Sequence, residues 1–314
     1  MATTLYQMGG GPIDIGFSPK LYDKRFDEIV LKDSAEPIEG EQWFAVKDTS
    51  QATYKTGEVG NELDLPQIKS DSDRVPLVAP PDGYEKSLTP ILYKSGFIVT
   101  RRMVELQQFQ KIGSMLTGLP ASFRSLRELK IAAFLALTHT SETGGDGSYV
   151  FATDHNLEDV KFGTWSNKAA SAGGVTTASL FDAWSNLHGR VNAKGRPMPG
   201  EPKDLLYHYS KNEAVMKVLG SDLYPQNSLN AKLPTFIKKV TPTYGHYLTD
   251  TDMWFVRSDK EAANPGFHLV YNARPTFLPI SESMNPDLIM GKRGRMAFVV
   301  GCVHSRGWYS NAGA

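Results

Sequence analysis

The chain has 314 residues, enough to bury a sizeable core, and its 34 basic residues are balanced by 34 acidic ones. Zero net charge argues against a dedicated nucleic-acid binder, which carries a basic excess on one face. The one cysteine, Cys302, rules out an intrachain disulfide and a cysteine-built metal site and reads as a small buried residue in a strand; no run approaches the ~18 apolar residues of a membrane span, and residues 1–11 lack the basic-then-apolar order of a secretory signal.

The 28 glycines and 19 prolines predict many turns and extended segments. In residues 1–50, Gly9, Gly10, Gly11, Pro12, Gly16 and Pro19 interrupt any regular period. Yet Ile13, Ile15, Phe17, Tyr22, Phe26, Ile29, Trp43, Phe44 and Val46 are too apolar for a disordered tail. This stretch reads as an extended arm, lying either on its own domain or across a neighbouring subunit. Residues 51–100 are polar and turn-rich, with Pro66, Pro76, Pro80, Pro81 and Pro90 at short intervals, before a strand at Ile91–Thr100. They fit a protruding two-stranded loop, going out near 52–70 and returning near 75–100, or a flexible surface insertion.

Residues 101–138 hold the longest helical signal. Met103, Leu106, Phe109, Ile112 and Leu116 form one stripe, and Phe123, Leu126, Leu129, Ala133, Phe134 and Leu137 resume it. Gly118 and Pro120 between them predict two helices or one bent helix. Thr140–Gly147 is a loop without the lysine or spacing of a phosphate cradle. Tyr149–Thr153 reads as a strand, followed by a turn at Asp154–Asn156.

Thr176–Gly220 is the most legible stretch. Thr176 or Thr177 caps a helix with Leu180, Ala183, Trp184, Leu187 and Val191 on one face. Gly189, Gly195, Pro197, Pro199 and Pro202 end it, and Asp204–Tyr209 reads as a buried strand. Ser210 and Glu213 fit a capping box for a second helix stopped by Gly220. Beyond lie short predicted strands at Thr235–Val240, Trp254–Arg257, Phe267–Tyr271, Thr276–Leu278 and Met296–Val303, with His304–Tyr309 as one more. Their spacing is that of a mostly antiparallel sheet, and the order of elements gives an α+β fold class.

No linear constellation points to catalysis. None of the seven histidines pairs with another at the spacing of a helical metal site. His246 lies near Asp250 and Asp252, and Asp154 adjoins His155, but both have turn composition and no G-x-S-x-G elbow supplies a nucleophile. The reading assigns no catalytic, cofactor-binding or metal-binding residue. Lys292, Arg293 and Arg295 form the densest basic run, open to phosphates or an acidic neighbour, or else a hairpin turn around Gly294.

In the order of its parts the chain resembles the major capsid proteins of tailed bacteriophages, a fold shared with the herpesvirus shell floor and with encapsulins. The likeness is carried by Phe151-Ala-Thr-Asp-His-Asn-Leu157 after the long helix and by Phe181-Asp-Ala-Trp184 with Leu187. Gly195-Arg-Pro-Met-Pro199, Leu205-Leu206, Leu219-Gly-Ser221, Asn227, Asn230, Asn272-Ala-Arg274 and Arg295-Met-Ala297 continue it. The resemblance implies a tailed-phage major capsid fold with an N-terminal arm (1–50), an extended two-stranded loop (51–100), and a peripheral domain with a long spine helix (101–150). Residues 151–275 would be mainly the axial domain, and 276–314 would return strands to the peripheral domain.

It further implies no enzymatic activity and no cofactor, and a chain assembled in host cytoplasm into the virion. Copies would join as pentamers and hexamers into an icosahedral head around double-stranded DNA, contacted non-specifically and without a membrane. The long charged helical leader that serves some relatives as internal scaffold is not seen at the start of this sequence. A separate scaffolding protein and a portal are therefore the expected partners, with a decoration protein as a further candidate. Phe17, Tyr22, Phe26, Trp43, Lys292, Arg293 and Arg295 are the expected inter-subunit contacts. The rival readings are an encapsulin-like compartment holding a protein cargo, another virion structural protein, and a cytosolic hydrolase with a site assembled in space.

Overall fold

The computed structural model describes residues 6–7, 12–13, 19–35, 38–57, 83–157, 163–192, 195–220, 234–263, 265–280 and 288–313. The chain begins with a two-residue ladder, β1 (Tyr6–Gln7) and β2 (Pro12–Ile13), and then forms a 17-residue helix, α1 (Pro19–Ala35). This helix departs from the extended arm expected there. Pro19 suits a first helical position, and Tyr22, Phe26, Ile29 and Val30 follow at i, i+4, i+7 and i+8, one apolar stripe.

β3 (Ala45–Asp48) and β4 (Tyr54–Gly57) follow, and the chain returns through β5 (Glu85–Leu88) and β6 (Ile91–Thr100). β4 pairs antiparallel with β5, so a two-stranded base stands where the protruding loop was expected. The rest of that expected loop, 58–82, lies outside the described residues.

A short helix, α2 (Arg101–Glu105), precedes α3 (Phe109–Leu137). Gln107 between them has φ 53, the left-handed turn that separates the two. α3 is one helix of 29 residues with Pro120 inside it. An interior proline costs about 3 kcal/mol; here Leu119, Pro120 and Phe123 are all buried, and their packing offsets it.

β7 (His155–Asn156) pairs with β8 (Thr164–Trp165). Tyr149–Thr153, expected as a strand, joins no ladder; Tyr149 makes a lone bridge to Thr143, while Val150 and Phe151 sink into the core. α4 (Thr177–His188) is capped by Thr176, whose Oγ1 accepts from Ser179 N at 3.1 Å while its own N donates to Ser179 Oγ at 2.9 Å. β9 (Pro202–His208) runs into a 3-10 turn at Tyr209–Lys211 before α5 (Asn212–Leu219). The Ser210/Glu213 capping box does not form, because that turn places Ser210 too early. Ser210 Oγ pairs with His208 Nδ1 at 2.8 Å, and Glu213 pairs with Lys217 at 2.6 Å.

Thr235–Val240 was expected as a strand; Pro234 instead opens a helical turn, α6 (Thr235–Lys238), with Ile237 buried. β10 (Thr241–Gly245), β11 (Trp254–Ser258), α7 (Asp259–Ala263), β12 (Phe267–Pro279), β13 (Leu288–Cys302) and β14 (Trp308–Asn311) complete the chain. β12 merges two predicted strands. Register shifts on either side of Ala273, which still pairs with Ala297, absorb Asn272, Arg274 and Pro275, as a proline within a sheet requires.

Two four-stranded sheets result, ordered β3-β12-β13-β6 and β10-β9-β11-β14. Each holds one parallel pair, β3 with β12 and β9 with β10; the other pairs are antiparallel. Residues 276–314 therefore divide: β13 stays in the first sheet, whereas β14 joins the second.

One core lies between the first sheet, α1 and α3, and a second lies between the second sheet, α4, α5 and α6. The second sheet borders both. Along β11, Phe255 enters the first core while Trp254 and Val256 enter the second, and on β9 Leu206 and Leu205 divide likewise. Cys302 is buried at the end of β13, as its sequence setting implied.

Gly294, expected as a candidate hairpin turn, is in the middle of β13. A Cβ there would sit 2.6 Å from a Phe123 ring carbon and 2.9 Å from Phe277, whereas at Gly113 on α3 it would meet nothing within 4 Å. Gly294→Ala should lower unfolding stability by about 1–3 kcal/mol, and Gly113→Ala should raise it by about 0.5–1 kcal/mol. Denaturant midpoints of the two variants check the contrast; equal shifts would contradict the packing described.

Candidate assembly surfaces

The expected contact residues separate into two groups. Tyr22 is half-buried on α1, and Phe26 is only 1% exposed, its ring centroid 6.1 Å from Phe97 and 5.7 Å from Phe277. Lys292 Nζ lies 3.0 Å from Asp23 Oδ1 and 5.3 Å from the Phe26 centroid. Trp43 is 3% exposed, with Trp308 at 5.8 Å and the Arg257 guanidinium 4.9 Å above it. Phe26, Trp43 and Lys292 are thus seated inside their own subunit, which corrects the expectation that they meet a neighbour. For Phe26 and Lys292 the reason is the helical stripe of α1, whose apolar partner is the chain's own first sheet, and for Trp43 it is the contact with Trp308 and Arg257.

Arg293 and Arg295 alternate with Lys292 and Gly294 along β13, so they point to the opposite, open face of the sheet and are exposed. Lys94 of β6 pairs directly across from Arg295. Phe17 lies outside the described residues.

The base of the 51–100 segment is fastened to the body. Lys86 Nζ donates to Thr143 O at 3.1 Å and Thr143 Oγ1 at 2.8 Å, and Tyr84 OH donates to Leu157 O at 3.3 Å. Beneath it lies a buried polar brace. His155 Nδ1 meets Asp146 Oδ2 at 2.6 Å, and its Nε2 meets Asn167 Oδ1 at 3.0 Å. Asn167 Oδ1 accepts from Ala152 N at 2.9 Å and its Nδ2 donates to Val150 O at 2.7 Å, so backbone groups fix the amide's orientation.

His155 therefore pairs with Asp146, not with its neighbour Asp154. The serine in this network, Ser305, pairs with Asn167 Nδ2. The adjoining cavity is about 10 Å³, which is room for one water and not for a substrate. His246 likewise bypasses Asp250 and Asp252 and pairs with Glu39 at 3.2 Å. Among the described residues no group of three His, Cys, Asp or Glu side chains is placed to hold a metal, and no helix is long and apolar enough to cross a membrane.

Two buried charges carried no sequence signal. Arg190, just after α4, donates through Nη2 to Asn186 Oδ1 at 2.8 Å and Trp308 O at 2.7 Å and through Nη1 to Arg306 O, and its guanidinium stacks 4.8 Å from the Trp165 centroid. Burial pushes its pKa down to about 9, with Arg306 adding repulsion. Glu261 accepts from Gly266 N at 2.5 Å, and burial pushes its carboxyl up. Arg190 is held by backbone carbonyls more than 100 residues away and Glu261 by an amide across a short loop, relations that no local spacing encodes.

On the second sheet's helical side, Phe181 is 45% exposed and Trp184 stacks on Phe236 at 5.2 Å. Met216 on α5 is also exposed. Beside α4 a polar depression of about 660 Å³ is lined by Ser166, Lys168, Thr176, Ser179, Asp182 and Tyr309, among others. The exposed Phe181 and Met216 on helices, next to a shallow polar hollow, suit contact with another protein chain.

No protein-family model matches the sequence, and no curated protein matches it. Solved structures do match, over nearly the whole length. The capsid of the Cyanophage P-SCSP1u is similar at 12% identity over 87% of this chain and 86% of its own, with a TM-score of 0.54. A structure from Mycobacterium phage Patience is 12% identical over 95% of this chain and 88% of its own, with a TM-score of 0.53. The capsid of an empty GTA particle is 11% identical over 87% of this chain and 88% of its own, with a TM-score of 0.54. At these identities the likeness is one of fold: the chain has the α+β fold of phage capsid proteins.

The burial of Phe26 has a direct consequence. Phe26→Ala should destabilise the isolated subunit by about 3–5 kcal/mol, read from denaturant unfolding; a variant of unchanged stability would return Phe26 to the list of inter-subunit contacts.

A second consequence concerns acid. His139 is buried, with Nε2 2.9 Å from Ser310 Oγ, and burial pushes its pKa down to about 4, with Lys168 adding repulsion. Burial does the same to His268, again to about 4, against the Pro265 carbonyl. Their folded values lie below the ordinary one, so the unfolded chain takes up protons first. The stability they allow is full above about pH 6.5 and is lost as pH falls from there toward 4. His139→Gln should flatten the fall in melting temperature over that window, and an unchanged fall would show that other groups set the acid limit.

Proposed function

We propose that this protein is the major capsid protein of a tailed bacteriophage. Copies associate as pentamers and hexamers into an icosahedral head that encloses double-stranded DNA. The observation that carries this reading is the breadth of the fold match, which spans most of both chains. On this reading the first sheet with α1 and α3 is the peripheral domain and α3 its spine. The second sheet with α4, α5 and α6 is the axial domain, whose exposed Phe181 faces its ring neighbours.

The protein's chemistry is self-association. Apolar burial contributes about 25 cal/mol per Å², and heterologous contacts around five- and six-fold axes close the rings. Near-zero net charge suits a wall that must let a polyanion enter and leave. A scaffolding protein and a portal complete the assembly. Tyr22, Arg293 and Arg295 remain the contact candidates within the described residues.

Electron microscopy of the full-length chain, expressed alone and with a scaffolding protein from its own genome, tests this. Closed shells are the expected outcome, and nucleic acid in packaged particles separates a phage head from a compartment with protein cargo. A chain that stays monomeric under both conditions overturns the reading.

A further inference from the structure

β6 is an edge strand. Among the described residues the first sheet ends on it, and its one ladder is with β13. Among the described residues, no backbone hydrogen bond other than those of that ladder reaches Ile91–Val99. Ten residues long, it exceeds the other sheet edges, β3 with four, β10 with five and β14 with four. It carries one charge, Lys94, and no proline, and Ile91, Leu92 and Ile98 on it are exposed at 57%, 52% and 39%. A long apolar edge whose single charge is Lys94 and which holds no proline has few of the devices that keep strands apart, and it is a template for another strand.

We infer that the free edge of β6 pairs antiparallel with β6 of a second copy across a two-fold axis, joining two first sheets into one; this rests on the capsid reading. The strand's own sequence argues for a second copy as occupant. Directly opposed residues of an antiparallel pair share a face, so the two-fold must pass through a residue and not between two. Full overlap leaves Ser95 or Gly96 as the centre.

Centred on Ser95, Leu92 meets the partner's Ile98 on the open face, and Tyr93 meets the partner's Phe97 on the packed face, each twice by symmetry. Lys94 falls opposite the partner's Gly96, whose missing side chain leaves room for its stem. Centred on Gly96, Lys94 would oppose an isoleucine and Ser95 a phenylalanine, so the Ser95 register is the self-complementary one. Such a contact is isologous, and icosahedral shells supply two-fold axes between rings.

The seam's size says where it acts. Ten residues at about 3.3 Å make a seam about 33 Å long and roughly one sheet layer, ~10 Å, deep. About 300 Å² per partner is well below the roughly 800 Å² of a stable pair. The seam therefore forms between subunits already held in a shell and not between free subunits.

Ser95→Cys tests the register. Opposed Cα atoms about 4.5–5.5 Å apart fall within the range a disulfide spans, and the native Cys302 is buried and does not compete. Oxidised Ser95→Cys particles should yield covalent dimers, and Lys94→Cys particles far fewer. In wild-type particles the β6 amides that point away from β13 should exchange hydrogen at least about tenfold more slowly than in free subunits. Both results are required. Particles that form without the Ser95 crosslink, or without slowed exchange, overturn the two-fold seam and leave the capsid reading standing. A chain that forms no particles overturns both.

Discussion

The seating of Trp308 holds the two sheets together. It lies on β14, in the second sheet, and is fully buried. Its ring stacks on Phe267 of β12, in the first sheet, at 4.6 Å and 9°, and Trp43 closes over it from the segment after α1. Arg190 then binds the backbone carbonyl of Trp308 itself. One side chain thus joins both sheets and one backbone oxygen ties α4 to the joint. Stacked aromatic pairs are worth about 0.5–1.5 kcal/mol beyond their buried area, and here the larger effect is geometric. The sheets cannot rotate against each other without unstacking a ring that has no other place to go.

The rest of the architecture follows from that joint. Because the second sheet is apolar on both faces, the two cores share a wall and not a linker. On the capsid reading proposed above, a subunit built this way presents its neighbours with a fixed angle between its halves. In a shell, where closure depends on angles more than on the strength of any one contact, such rigidity is as useful as affinity.

The fold was legible in the sequence where local period and turn chemistry decide structure. The Thr176 cap, the α4 face, the β9 strand and the long α3 stripe were all readable, and so was the order of parts. The α1 helix was missed because glycines and prolines ahead of Pro19 masked the Tyr22–Phe26–Ile29–Val30 spacing. Thr235–Val240 misled because Phe and Ile suit a strand, while Pro234 and the pocket for Ile237 settled the backbone. Lys292–Arg295 looked like one basic run, yet strand alternation sends Lys292 inward to Asp23 and the arginines outward. Arg190 and Glu261 were invisible, since their partners are carbonyl and amide groups more than 100 residues away in the first case and across a short loop in the second.

The Asp23–Lys292 pair sets a limit on trading segments between copies. A domain swap that carried α1 to a neighbour would leave the Lys292 ammonium, 8% exposed, without its carboxylate and would open the aromatic slot of Phe26. Both losses would have to be made good at once by the incoming helix. These contacts keep α1 with the body of its own subunit.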